Sequence, residues 1–257
     1  MKIRSLAVLL GFVPLASLGQ PAGAPSDLRL CTELFTGHTS IGPGVKGAAQ
    51  PQCLWKTRRL HVRFLEGDPV VKARVEKIAK EWTPYTGIEL VFDDSPKAQI
   101  RISFQPTGSW SYVGACQADR KPSEATMYYG WLTPNTDEAE YRRVVLHEFG
   151  HALGMVHEHQ NPTAGRVIKW NEEAVYEYYR RTQNWDREKT RFNVLYKYSE
   201  RETNFTDYDS TSIMQYAIPA GLTLDGFSVG WNNELSEKDK EFMRTQYRVR
   251  VSPSPAR

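Results

Sequence analysis

The stretch VVLHEFGHALGMVHEHQNP, residues 144–162, constrains this chain more than any other. The chain holds six histidines, and His147, His151, His157 and His159 all fall inside it, with Glu148 and Glu158 between them. His147 and His151 are four apart, so on a helix they stand one turn above each other on one face. Two imidazole nitrogens placed that way can reach one ion at about 2.0 to 2.1 Å. Glu148 points to the side of the same face, within reach of a water on that ion. Gly154 can take the left-handed conformation that ends a helix, which lets His157 return as a third nitrogen ligand. Three neutral imidazoles suit zinc and leave a position open for water. HExxH alone is a loose pattern, whereas HExxHxxGxxH fixes further positions in a row and is far less often met by chance.

The rest of the chain must supply a scaffold for that helix. RLHVRFL alternates Leu60, Val62 and Phe64 as a half-buried strand does. Asp68 and Pro69 then form a helix start, with Val71, Val75, Ile78, Ala79 and Trp82 along one face. IELVF and QIRISF read as two further strands, and GSWSYVGACQ (108–117) and ATMYYGWL (125–132) as strands or strand edges. The histidine helix follows, with Val144, Val145, Phe149 and Ala152 free to pack. One or two helices are expected in NEEAVYEYYRR and WDREKTRFNVLYKY, and Ser236 opens a last one with a Ser-x-x-Asp capping pattern. Strands first, an active-site helix next and a helical, irregular second half define an α+β domain of two lobes.

Residues 1–19 carry Lys2, Arg4 and an apolar run from Leu6 to Leu18, followed by small residues. That run is shorter than the roughly 20 residues that span a bilayer, so it reads as a secretory signal peptide rather than an anchor. Residues 20–53 are rich in Gly, Pro, Ala and Ser and read as a leader or pro-segment without fixed structure, ahead of a catalytic part at 54–250 and a flexible tail at 251–257. The formal charge is +3, with no basic stripe interleaved with aromatics, which argues against nucleic acid. Export permits disulfides, and Cys31, Cys53 and Cys116 allow one pair and one odd thiol, in any of three pairings.

HEFGHALGMVHEH continues past the third histidine into Glu158, and this extended pattern resembles the astacin family of metzincin zinc metalloproteases. YDSTSIMQY, residues 208–216, is similar to the astacin Met-turn, Ser-x-Met-x-Tyr, here Ser212, Met214 and Tyr216. SWSYVG at 109–114 resembles the family's edge strand above the cleft. The likeness runs from about Leu54 to Tyr247. It implies a two-lobed metzincin fold: a twisted mixed sheet with helices in the N-terminal lobe, then the active-site helix, then an irregular, helical C-terminal lobe.

The resemblance also implies roles. One catalytic Zn²⁺ would be held by His147, His151 and His157, with Glu148 as general base. Met214 would form an apolar floor beneath the imidazoles, and Tyr216 a displaceable fifth ligand that swings out to bind the oxyanion. Glu158 would receive the new N-terminal ammonium once the leader is cut. His159 receives no role from the motif. The activity implied is that of a secreted endopeptidase, extracellular or periplasmic, acting on protein or peptide substrates; no stable membrane anchor is expected, and a monomer is the expected state. A zinc-containing binding or adhesion module that has lost proteolysis is the other reading, disfavoured because Glu148 and Tyr216 are both present.

Two departures stand out. The family's two disulfides are not evident, since Ser109 and Gly87 occupy positions where it often has cysteine, so the chain looks like a disulfide-poor, bacterial-type member. Its leader carries FTGH, Phe35 to His38, in place of the family's silencing Phe-x-Gly-Asp. His38, or Cys31 as a thiolate, could plug the zinc in a zymogen; a leader that makes no contact with the site is the simpler expectation.

Overall fold

The computed structural model describes residues 30–34, 53–117, 120–199 and 204–249. The signal-peptide and tail assignments, and His38, lie outside the described residues.

Six strands form one sheet in the order β1-β5-β6-β4-β2-β3: β1 Cys31–Leu34, β2 Arg59–Phe64, β3 Glu89–Phe92, β4 Ile100–Ser103, β5 Ser109–Tyr112 and β6 Met127–Tyr129. The pairings are parallel except β5 with β6. The sheet is therefore mixed, as the resemblance implied. Helix α1, Pro69–Ala79, starts where expected, with the Asp68 carboxylate accepting from the amides of Val70 and Val71 and Pro69 at its first position. It buries Val71, Val75, Ile78 and Ala79, then tightens to a 3-10 turn at Lys80–Trp82 and a short α2, Thr83–Thr86.

Helix α3, Glu138–Ala152, crosses under the sheet, and every residue from Arg143 to Ala152 is buried. The apolar side packs with the core formed by Val62, Ile100, Met127 and Trp82, and Trp82 Nε1 donates to the Leu146 carbonyl at 3.0 Å. A helix enclosed on all sides is a core element, so the polar residues it carries inward need a specific use.

The second half is held by caps more than by length. Helix α4, Glu172–Gln183, is capped by Asn171 and ended by Asn184 in the left-handed conformation. Helix α5, Arg187–Thr190, runs into a π turn at Arg191–Leu195. Helix α6, Glu237–Gln246, has the expected capping box of Ser236 and Asp239.

The expectation that residues 20–53 make no contact with the site is corrected for Cys31–Leu34. Cys31–Leu34 is hydrogen-bonded to the edge strand β5, Cys31 opposite Ser109 and Leu34 opposite Tyr112, and Cys31 is 1% exposed. The physical reason is general: an edge strand presents unpaired N–H and C=O groups that a neighbouring segment can satisfy. Organised structure also begins before Leu54, because Cys53 is bonded to Cys116 as a disulfide. Of the three possible pairings this leaves Cys31 as a buried free thiol. The segment 114–117, read as strand, is instead a 3-10 turn that carries Cys116 to its partner.

Candidate metal and catalytic site

The helix brings His147 and His151 together as their spacing requires, and the chain turns back sharply after it. Gly154 has φ +104°, and a Cβ there would lie 2.9 Å from Leu54, so both conformation and space favour glycine. The turn delivers His157, and one ligand nitrogen from each of His147, His151 and His157 lies within 4.8 Å of the others.

Backbone carbonyls fix which nitrogens face inward. His147 Nδ1 donates to Ile213 O at 2.8 Å and His151 Nδ1 donates to Met155 O at 2.9 Å. A nitrogen bonded to a carbonyl must carry the proton, so Nε2 of each ring is left as a lone pair. His151 Nε2 stands 3.2 Å from His157 Nε2, and His147 Nε2 is buried with no protein partner. Burial is the largest cause holding all three rings neutral: His147 and His157 lie well below the usual histidine range and His151 is lowered to about 4. Neutral, buried imidazoles with their lone pairs converging are the donor set zinc takes. The residues present fit the ion.

Glu148, wholly buried, is next in sequence to His147. The Cys31 thiol lies against its carboxylate; burial first and the Glu148 charge second push that thiol up from its ordinary value. Arg143 Nη1 is 4.0 Å from the same sulfur. The Tyr216 hydroxyl donates to the Cys31 carbonyl, and its ring lies 4.3 Å from His157 and 6.2 Å from His147. Strand β1 thus sits among the expected catalytic groups.

Met214 is wholly buried against α3, its sulfur so close that a Cβ on Gly150 would meet it at 2.4 Å. The Met-turn that carries it is fastened by a residue that sequence reading assigned only to a helix cap. Asp239 accepts from Ser212 Oγ at 2.7 Å and from the Ile213 amide at 2.8 Å, besides the Ser236 amide at 3.0 Å. Ile213 then offers its carbonyl to His147. The capping-box spacing was the available signal for Asp239; nothing in it points to the turn.

Glu158 accepts from the Asp209 amide at 2.8 Å and Asn161 Nδ2 at 3.2 Å, and its own amide donates to Met214 O at 3.0 Å. It lines a small cavity with Asp209, Asp239, Asn161, Met155 and Phe242. Burial raises its carboxyl to about 8. His159, given no role by the motif, is wholly buried beside Tyr216. Burial, then the nearby Lys197 charge, lower its pKa to about 3.

These features define a zinc peptidase of the metzincin kind, and comparison supplies the family. The model of the Astacin peptidase family matches residues 47–248, and the chain belongs to that family. Two solved structures of myroilysin are similar to it. One is 39% identical, with a TM-score of 0.76, covering 80% of this chain and all (100%) of that one. The other is 34% identical, with a TM-score of 0.62, covering 86% and 91%. High choriolytic enzyme 1, a hatching enzyme zinc-protease from the medaka fish Oryzias latipes, shares the fold at 21% identity and a TM-score of 0.53, over 77% of this chain and 96% of its own. No curated sequence gives a match. Among the described residues no helix is long and apolar enough to cross a membrane.

Proposed function

We propose that this chain is a secreted, zinc-dependent endopeptidase, made as a latent precursor, that hydrolyses peptide bonds in extended protein or peptide segments. The observation that carries the reading is the convergence of neutral His147, His151 and His157 beside the buried Glu148 carboxylate. A zinc ion held by these three imidazoles, with the Tyr216 phenol as a displaceable further ligand, supplies Lewis acidity and a water of pKa lowered towards about 7.

The chain's own groups do the rest. Glu148 takes the proton of the attacking water as general base and passes it to the leaving amine. The Tyr216 phenol donates to the carbonyl oxygen as negative charge develops there, a contribution of about 3 to 4 kcal/mol for a well-placed donor. Met214 packs beneath the imidazoles and excludes water from that side. The β5 edge, Ser109–Tyr112, accepts the substrate backbone as an added strand; the leader strand Cys31–Leu34 on that edge supports the assignment. A site that takes strands selects flexible or unfolded segments.

The same strand makes the full chain latent. Cys31, its thiol beside Glu148 and 4.0 Å from Arg143, would lose its proton on binding the ion and so block the open position, and His38 is the other candidate for that role. Removing the leader frees the edge. Glu158, in its small cavity with Asp209 and Asp239, takes up the new N-terminal ammonium, which offsets three clustered carboxyls. The removable leader begins behind a signal peptide at 1–19 and ends before Cys53, because the Cys53–Cys116 disulfide ties residue 53 to the catalytic domain that continues from 54 to 250.

Chelation tests the metal. Leader-free protein stripped with a chelator is expected to lose cleavage of an unfolded protein and to regain it with one equivalent of zinc. Undiminished cleavage by metal-free protein would overturn the reading. Leader-free, zinc-loaded protein that cleaves nothing would favour a binding module.

A further inference from the structure

One ring of the imidazole cluster is left without work by the mechanism above. His159 is wholly buried. Its ring stacks on Tyr216, with centroids 4.5 Å apart and planes inclined by 28°, and on His157, at 5.3 Å and 28°. Its Nε2 donates to Asn193 O at 2.9 Å, and its backbone carbonyl accepts from Lys197 Nζ.

The anchor is as unusual as the ring. Asn193 belongs to the π turn Arg191–Leu195, closed by the Tyr196 amide on Arg191 O at 2.8 Å. Two carbonyls of that turn serve the active site: Asn193 O holds His159, and Phe192 O accepts from Gln160 Nε2 at 2.6 Å. Gln160 in turn lies beside His157. A π turn is rare and is found mostly at functional sites. Here it grips the two residues that follow Glu158, at the point where one of them faces the phenol.

We infer that His159 is a positioning residue for Tyr216: a fixed, flat ring face that sets where the phenol rests and along which it moves between its two positions. The inference rests on the reading of Tyr216 given above as displaceable ligand and oxyanion donor. A side chain that must exchange between two places keeps its contacts if it slides along a flat, immobile neighbour. Offset parallel rings provide such a surface without locking one register. A histidine tied down at Nε2 and at its backbone carbonyl is rigid enough to serve.

A double-mutant cycle separates this from simple core filling. The proteins are leader-free wild type, His159→Gln, His159→Phe and Tyr216→Phe, together with each His159 variant combined with Tyr216→Phe. Each is measured twice: zinc-loaded, for kcat and KM on an extended peptide, and copper-loaded, for the visible phenolate-to-Cu(II) absorption band. His159→Gln, which removes the ring, is expected to lower kcat about tenfold with little change in KM, as for an interaction made in the transition state. It should also shift or weaken the band, while His159→Phe, which keeps a flat ring, retains most of both. In the Tyr216→Phe background neither change should lower kcat further. An equal loss in that background, or an unaltered band in His159→Gln, would overturn the inference and leave His159 as packing. Absence of the band from wild type would remove the Tyr216 reading, and this inference with it. Wild type that shows the band but cleaves nothing would instead count against the proteolytic reading, with the band still testing His159.

Discussion

At the scale of single residues the site is a set of tautomers held by peptide carbonyls. His147 and His151 each donate an N–H hydrogen bond to a carbonyl and so turn a lone pair inward. Their four-residue spacing made them legible in the sequence, because a helix has only one way to present that pair. The carbonyls of Ile213 and Met155 were not legible, since a backbone group carries no residue identity. Gly150 makes the point testable. It sits between the two histidines, and a methyl group there would meet the Met214 sulfur at 2.4 Å. Gly150→Ala should push Met214 and the adjacent Ile213 carbonyl away from α3, and zinc affinity should fall about 10- to 100-fold, as for other groups that orient ligands. Competition with a chromogenic chelator reads this directly, and unchanged affinity would mean that Met214 can shift at no cost to the ligands.

Among the elements, α6 is the one whose role exceeds its pattern. Its capping box was readable from Ser236 and Asp239, yet the same Asp239 carboxylate fastens the Met-turn through Ser212 and Ile213, a contact across 26 residues that no local pattern encodes. Asp239→Asn keeps the shape but weakens the acceptors, and it should cost about 1.5 to 3 kcal/mol of stability, the range for hydrogen bonds to a charged group. The pH dependence has a definite sign. Burial raises Asp239 from 3.8 to about 6 against the opposing effect of its hydrogen bonds. Between those values the folded chain holds a proton that the unfolded chain has released, so this group's contribution to stability falls as pH rises from about 4 to about 6. Thermal melts of wild type and Asp239→Asn across that range should differ by this slope, and parallel curves would show that Asp239 does not titrate there. The π turn was likewise hidden, because WDREKTRFNVLYKY carries ordinary helical propensity and only its outward bonds to His159 and Gln160 distinguish it. The strands and α1 were the readable part, since alternation and capping are local.

For the whole molecule, the order of strands, histidine helix and helical second half was enough to place the chain in a two-lobed α+β class, and the motif string placed it in its family. What sequence could not supply was the path of the segment that carries β1. A stretch rich in glycine and proline reads as unstructured, but four residues of it find the open edge of β5 and bring Cys31 to Glu148. Full-length Cys31→Ser, loaded with zinc and assayed before any cleavage of the leader, should be at least about tenfold more active than full-length wild type, because a hydroxyl is a far poorer zinc ligand than a thiolate. Equal activity in the two would mean that latency comes from occupation of the edge alone. The proposed hydrolysis turns on Glu148 acting on water at the triad of His147, His151 and His157. The most direct measurement is zinc content and cleavage of an unfolded protein by leader-free wild type beside Glu148→Ala. Both proteins are expected to bind about one zinc, as the three imidazoles require, while the variant's kcat falls by about 10² to 10⁴, the range for a lost general base. Cleavage by Glu148→Ala at the rate of wild type, with zinc equally bound, would contradict the mechanism.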